Sequence, residues 1–144
     1  MTPTYLLDIN LLLALSDPQH VHHDAAHRWF ADTGHQAWAT CPLTENGFVR
    51  VASNPAYPNR PGTAPAVIAI LQRLCTSEGH HFWSDDIRLP DVLEAQALLT
   101  HTQITDVYLL GLALHHDGKL ATFDQHIPSN AVRRGGSGLE ILLP

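Results

Sequence analysis

Short β-compatible runs alternate with helix-period segments along almost the whole chain, and this alternation constrains the fold more than any other feature. Thr4 to Leu7, Gln36 to Cys41, His81 to Trp83, Lys119 to Phe123 and Leu139 to Leu143 read as strands. Between them lie segments with apolar residues at helical spacing: Ile9 to Leu15, His22 to Asp32, Pro42 to just before Asn54, Ala66 to Thr76, Pro90 to Thr100, and a helix capped near Thr105-Asp106 that stops at Gly118. Strands separated by helices pair in parallel through right-handed crossovers, with helices on both faces. The expected fold class is therefore α/β, a three-layer α/β/α sandwich with a mainly parallel central sheet. At 144 residues it fits one domain, 1–144, large enough to need neither disulfides nor a structural metal.

Parallel sheets bind ligands outside the carboxyl ends of their strands. That rule selects four acids. Asp8 and Asp124 each terminate an expected strand, while Glu45 and Asp106 each lie in the first turn of a helix that follows a strand or short loop. Anions brought together in this way repel and raise one another's pKa unless a cation neutralises them. Magnesium or manganese suits an all-oxygen set that leaves coordination positions for water and phosphate. The chemistry expected of such a site is phosphodiester hydrolysis by a metal-activated water, with no protein nucleophile. Asp8 and Asp124 are the expected direct ligands; Glu45 and Asp106 bind directly or through water, and Asn10, Thr44 and Thr122 support them by hydrogen bonds.

Four segments carry a family resemblance: Leu6-Leu7-Asp8-Ile9-Asn10, Thr44-Glu45-Asn46-Gly47-Phe48-Val49-Arg50-Val51, Thr105-Asp106-Val107-Tyr108-Leu109-Leu110 and Leu120-Ala121-Thr122-Phe123-Asp124. In order and spacing they resemble the acidic motifs of VapC-type PIN-domain toxins, over nearly the whole chain. The resemblance implies a metal-dependent endoribonuclease, homodimeric and held inactive by a VapB-like antitoxin whose tail occupies the active-site groove. It matches Asp8, Glu45, Asp106 and Asp124 to the family's acidic quartet and Thr122 to its hydroxyl neighbour. The alternatives are a PIN-like module that grips RNA or a partner without cutting, and a metal-dependent DNA nuclease. A phosphoacceptor domain is disfavoured, because Asp8 is followed two positions on by Asn10 and the sole lysine, Lys119, begins a strand instead of ending one.

Charge weighs against a broad nucleic-acid face: 14 acidic residues oppose 8 basic ones, for a formal net charge of −6. Clustering four of those acids around cations weakens the objection without removing it. Cys41 and Cys75, the only cysteines, show no zinc-ligand spacing and fit a reducing compartment. With no basic leader at Met1-Thr2-Pro3-Thr4 and no apolar run long enough to span a bilayer, the expected setting is the cytoplasm, away from membranes.

The remaining conspicuous residues have ordinary readings. His23 and His27, four apart, read as a solvated helix face. In His80-His81 and His115-His116 adjacent side chains point apart, which argues against a shared metal. Asp85-Asp86 reads as a loop cap and Trp29, Trp38 and Trp83 as core, while Arg50 reads either as a surface or dimer-contact residue or as one that touches RNA phosphate or braces a carboxylate. The stretch 54–65, with prolines at 55, 58, 61 and 65, reads as an exposed loop that gates the site.

Overall fold

A computed structural model of the protein describes residues 2–144. Its five strands are β1 (Tyr5–Leu7), β2 (Trp38–Thr40), β3 (His80–Phe82), β4 (Lys119–Thr122) and β5 (Leu139–Ile141). All pair in parallel, in the order β3-β2-β1-β4-β5. The helices are α1 (Ile9–Ser16), α2 (His23–Asp32), α3 (Pro42–Ala52), α4 (Ala64–Leu74), α5 (Leu89–Val92) and α6 (Ile104–His115). The chain lays down β1, β2 and β3 toward one edge, then returns to add β4 and β5 on the other side of β1. The reversal falls between β1 and β4, so the crevice at their carboxyl ends is where this architecture receives a ligand.

Strand alternation divides the core in two. Tyr5, Leu7, Trp38 and Ala121 face one way and pack with Leu11, Leu12, Ala26, Phe48, Val67 and Leu71, drawn from α1 to α4. Leu6, Ala39 and Leu120 face the other way, against Val107, Leu109, Leu110 and Leu112 of α6. Helix α6 is buried around most of its girth, which explains why its sequence is apolar on every side and not amphipathic.

The passage from α6 into β4 is tight. Asp117 adopts φ 57, and the N–H of Asp117 and of Gly118 return to the carbonyls of Leu114 and Ala113, closing the helix in a Schellman turn. Gly118 then passes so close to β1 that a Cβ would stand 2.4 Å from the Thr4 carbonyl oxygen. Backbone cannot step aside as a flexible side chain can. Gly118→Ala is therefore expected to lower stability by about 1–3 kcal/mol, read as a fall in the urea midpoint; an unchanged midpoint would contradict this packing.

Two expectations need correction. The helix expected over Pro90 to Thr100 stops at Val92, because the next backbone groups pair with a distant segment: Leu93 bridges Val132, Glu94 N–H donates to Ala131 and Arg133 N–H donates to Val92. The Pro-rich stretch is a series of turns that gives way to α4 at Ala64, and it does not cover the site. Tyr57 and Asn59 donate to the buried Asp17 carboxylate at 2.6 and 3.1 Å. Asp17 caps the carboxyl end of α1, about 13–14 Å along the helix from Asp8 at the amino end.

Candidate active site

Asp8 follows β1 and caps α1, so a single backbone turn aims its carboxylate across the crevice. Only 6 % exposed, it accepts from Ile9 N–H at 2.8 Å and from the Thr122 hydroxyl at 2.7 Å. Thr122, fully buried at the end of β4, has no spare bonding capacity: it donates to Asp8 and accepts from the Asn10 amide at 3.2 Å and from Asp124 N–H at 3.0 Å. The hydroxyl thus ties the ends of β1 and β4 together and orients both acids. Asn10 completes the tie by accepting from Phe123 N–H at 3.4 Å.

Burial raises the Asp8 pKa, and the Asp124 charge adds to that; the two hydrogen bonds lower it without cancelling the rise. Asp106, in the first turn of α6, is pushed up to about 6 by burial and then by Asp8 and Asp124. Asp8, Asp106 and Asp124 therefore sit in one shared negative field. Among the described residues, no ion pair engages any of the three; Asp86 is the only acid so paired. Partly buried carboxylates without a cationic side chain, offering oxygen donors only, match what a hard divalent cation requires.

Glu45 lies where the sequence places it, in the first turn of α3, but its carboxylate has other partners. Thr40 at the end of β2 donates to it at 2.7 Å, and Cys75 and His80 stand beside it. Thr44 is likewise occupied elsewhere: its hydroxyl accepts from Cys41 N–H and donates to the Cys41 carbonyl, closing the start of α3. Glu45 takes this direction through the pairing of β2 with β3, which carries His80 alongside Trp38. No local sequence signal marks Thr40, Cys75 or His80 as its neighbours.

The histidine pairs also find specific partners. His23, half-buried, and His27, exposed on its helix face, also contact the carbonyls of Ala14 and Leu15 at 2.7 and 2.8 Å. His115 and His116 do not diverge fully, since both Nε2 atoms approach the Asp86 carboxylate, at 3.7 and 2.9 Å. His116 also stacks on Trp83.

Asp8, Asp106 and Asp124 thus share the β1/β4 crevice. The sequence profile of the PIN domain matches residues 5–132. This chain belongs to the PIN-domain family. Ribonuclease VapC44 of Mycobacterium tuberculosis is 45% identical to this PIN domain over 129 residues, 88% of the chain and 90% of the relative. In fold, the PIN domain is similar to Mycobacterium tuberculosis VapC20, described as a sarcin-ricin loop cleaving toxin, with a TM-score of 0.59 and 13% identity over 90% of this chain and 99% of that one. It is also similar to VapBC2 from Rickettsia felis, solved bound to a DNA fragment of its promoter, with a TM-score of 0.61 and 11% identity over 97% and 99% of the two chains. At those identities the structural likeness speaks for the fold, while the acidic crevice speaks for the chemistry.

Thr122 gives the site its first direct test. Thr122→Val keeps the shape but leaves Asp8, the Asn10 amide and Asp124 N–H without their shared partner. Any metal-dependent activity of this PIN domain is expected to fall about 10–100-fold, with Thr122→Ser restoring most of it. Equal activity in the valine variant would remove the hydroxyl from the site.

Proposed function

We propose that this PIN domain is a metal-dependent endoribonuclease, the toxin of a toxin–antitoxin pair, and that Asp8, Asp106 and Asp124 hold the ions, Mg²⁺ or Mn²⁺, with Glu45 as the fourth acid. The observation that carries the reading is the shared, cation-free negative field of those three aspartates at the β1/β4 crevice. The similarity to Ribonuclease VapC44 supports RNA as the substrate.

A divalent ion bound there supplies a water of lowered pKa and positive charge for the scissile phosphate and its leaving oxygen. The protein supplies orientation. Thr122 fixes the Asp8 rotamer, Ile9 N–H holds the same carboxylate from the helix side, and Asp124 is shaped by its own turn, in which Oδ1 accepts from His126 N–H at 2.8 Å. Asp106 must shed a proton to act as a ligand, and its pKa of about 6 lets it do so at neutral pH.

The antitoxin is proposed to lie in the groove between α3 and α4. Pro42, Glu45, Val49, Arg50, Ile68 and Leu71 line it, placing an apolar strip and a cation beside one of the acids. The VapBC2 structure supports a partner of that kind. Homodimerisation and a cytoplasmic setting belong to the same proposal; no helix among the described residues is long and apolar enough to cross a membrane.

The deciding experiment incubates the purified chain with labelled RNA and labelled DNA in Mg²⁺ or Mn²⁺, beside Asp8→Asn and an EDTA control. RNA cleavage lost in both controls is the expected result. Cleavage of DNA alone, or RNA cleavage that survives both controls, overturns the assignment.

A further inference from the structure

The neighbours of Glu45 form a cluster that a site for hard cations does not call for. Cys75 closes α4, His80 opens β3 and Glu45 opens α3, so three separate elements deliver a thiol, an imidazole and a carboxylate to one place. One ligand atom from each lies within 4.8 Å of the others. Thr40, fully buried, sits at their centre, with its hydroxyl 2.7 Å from both Glu45 Oε2 and His80 Nε2. The imidazole is further held against the Trp38 ring, at a centroid distance of 4.7 Å.

Sulfur and nitrogen donors are unsuited to magnesium, which demands oxygen, but they suit a borderline ion such as zinc. Tetrahedral zinc places its ligand atoms about 3.5 Å apart, given bonds of about 2.0–2.3 Å. Closing the present spacing to that value takes side-chain motion of about an ångström, within reach of a glutamate and a cysteine on helix ends. Both cysteines lack any zinc-ligand spacing in the sequence, and only the fold brings Cys75 to His80 and Glu45.

We propose that Glu45, Cys75 and His80 form a binding site for a single Zn²⁺-class cation, separate from the aspartate site, whose occupation ties Glu45 down and slows cleavage. On binding, the Cys75 sulfur enters the coordination shell as thiolate and its proton passes to solvent. Glu45 becomes the point of competition: a carboxylate held by zinc between α3 and β3 is withdrawn from the Mg²⁺ or Mn²⁺ centre. The slowing of cleavage rests on the ribonuclease reading above, whereas occupation of the site does not.

The test titrates the full-length chain with Zn²⁺, and separately with Co²⁺ as a spectroscopic substitute, in excess Mg²⁺ so that the aspartate site is occupied. Wild-type protein is expected to bind one equivalent of Zn²⁺ and to show thiolate-to-cobalt charge-transfer absorption. Cys75→Ser is expected to lose that absorption, and both Cys75→Ser and His80→Gln to weaken zinc binding at least tenfold. Absence of the cobalt–thiolate band in wild type, or zinc affinity unchanged in both variants, overturns the site. In RNA cleavage assays one equivalent of Zn²⁺ is expected to slow the wild type and leave both variants unaffected. Equal slowing of all three overturns the link to Glu45. Failure of the ribonuclease reading would appear differently, as no cleavage under any metal beside an intact cobalt–thiolate band.

Discussion

Asp106→Asn is expected to reduce RNA cleavage by at least about a hundredfold while raising the melting temperature of the metal-free protein at pH 7.5. The two effects share one cause. In the folded chain Asp106 is pushed up to about 6 by burial and by Asp8 and Asp124, so its ionised form is disfavoured there relative to the unfolded chain. A folded-state pKa above the unfolded value means that the native state holds the proton more tightly, and stability falls as pH rises from about 4 through 6. Above that window the metal-free protein carries the full burden of the charge. An asparagine removes the charge and keeps the shape, which relieves Asp8 and Asp124 of a like-charged neighbour. It also removes an oxygen donor with negative charge from the place where the transition state needs a cation held, a loss on the scale of deleting one electrostatic stabiliser. Cleavage assays and thermal melts in EDTA read the two halves independently. An Asp106→Asn protein that melts lower than wild type at pH 7.5, or that cleaves at the wild-type rate, would break the argument.

The parallel sheet and the placement of Asp8, Asp106 and Asp124 were legible in the sequence because backbone pattern alone fixes them. An acid at the end of an apolar strand lies at the sheet's carboxyl edge, and one in the first turn of the helix that runs back into the next strand, as Asp106 does in α6 before β4, starts at that same edge. Where a side chain turns after leaving the backbone is a tertiary matter. Glu45 sits on the expected helix, yet its carboxylate is directed by Thr40, Cys75 and His80, whose approach depends on the register of β2 with β3 and on where α4 ends. Thr44 has the residue type of a supporting donor, but the start of its own helix claims the hydroxyl first. The false helix over Pro90 to Thr100 has a similar origin. Its apolar content favours a helix locally, whereas pairing of Leu93 with Val132 draws the backbone away, and Leu98 is left 93 % exposed.

Metal should reverse the pH dependence of stability. Without it, the raised pKa values of Asp8 and Asp106 make the folded protein less stable as pH climbs through the carboxylate range toward 6. A divalent ion binds the ionised carboxylates and must displace whatever protons they hold, so its affinity rises over the same interval. At about a hundred times its dissociation constant the ion stabilises the native state by about 2.7 kcal/mol. For a chain of this size that corresponds to a rise of about 5–10 °C in melting temperature. The shift produced by saturating Mn²⁺ is accordingly expected to be large at pH 7.5 and small at pH 5, where Asp106 is mostly protonated. In Asp106→Asn the dependence should flatten, because one of the two aspartates with a raised pKa no longer titrates. Melting curves with and without Mn²⁺ across that range check the prediction, and a metal-induced shift that is equal at both ends, or larger at pH 5, would mean that the ion binds somewhere other than these aspartates.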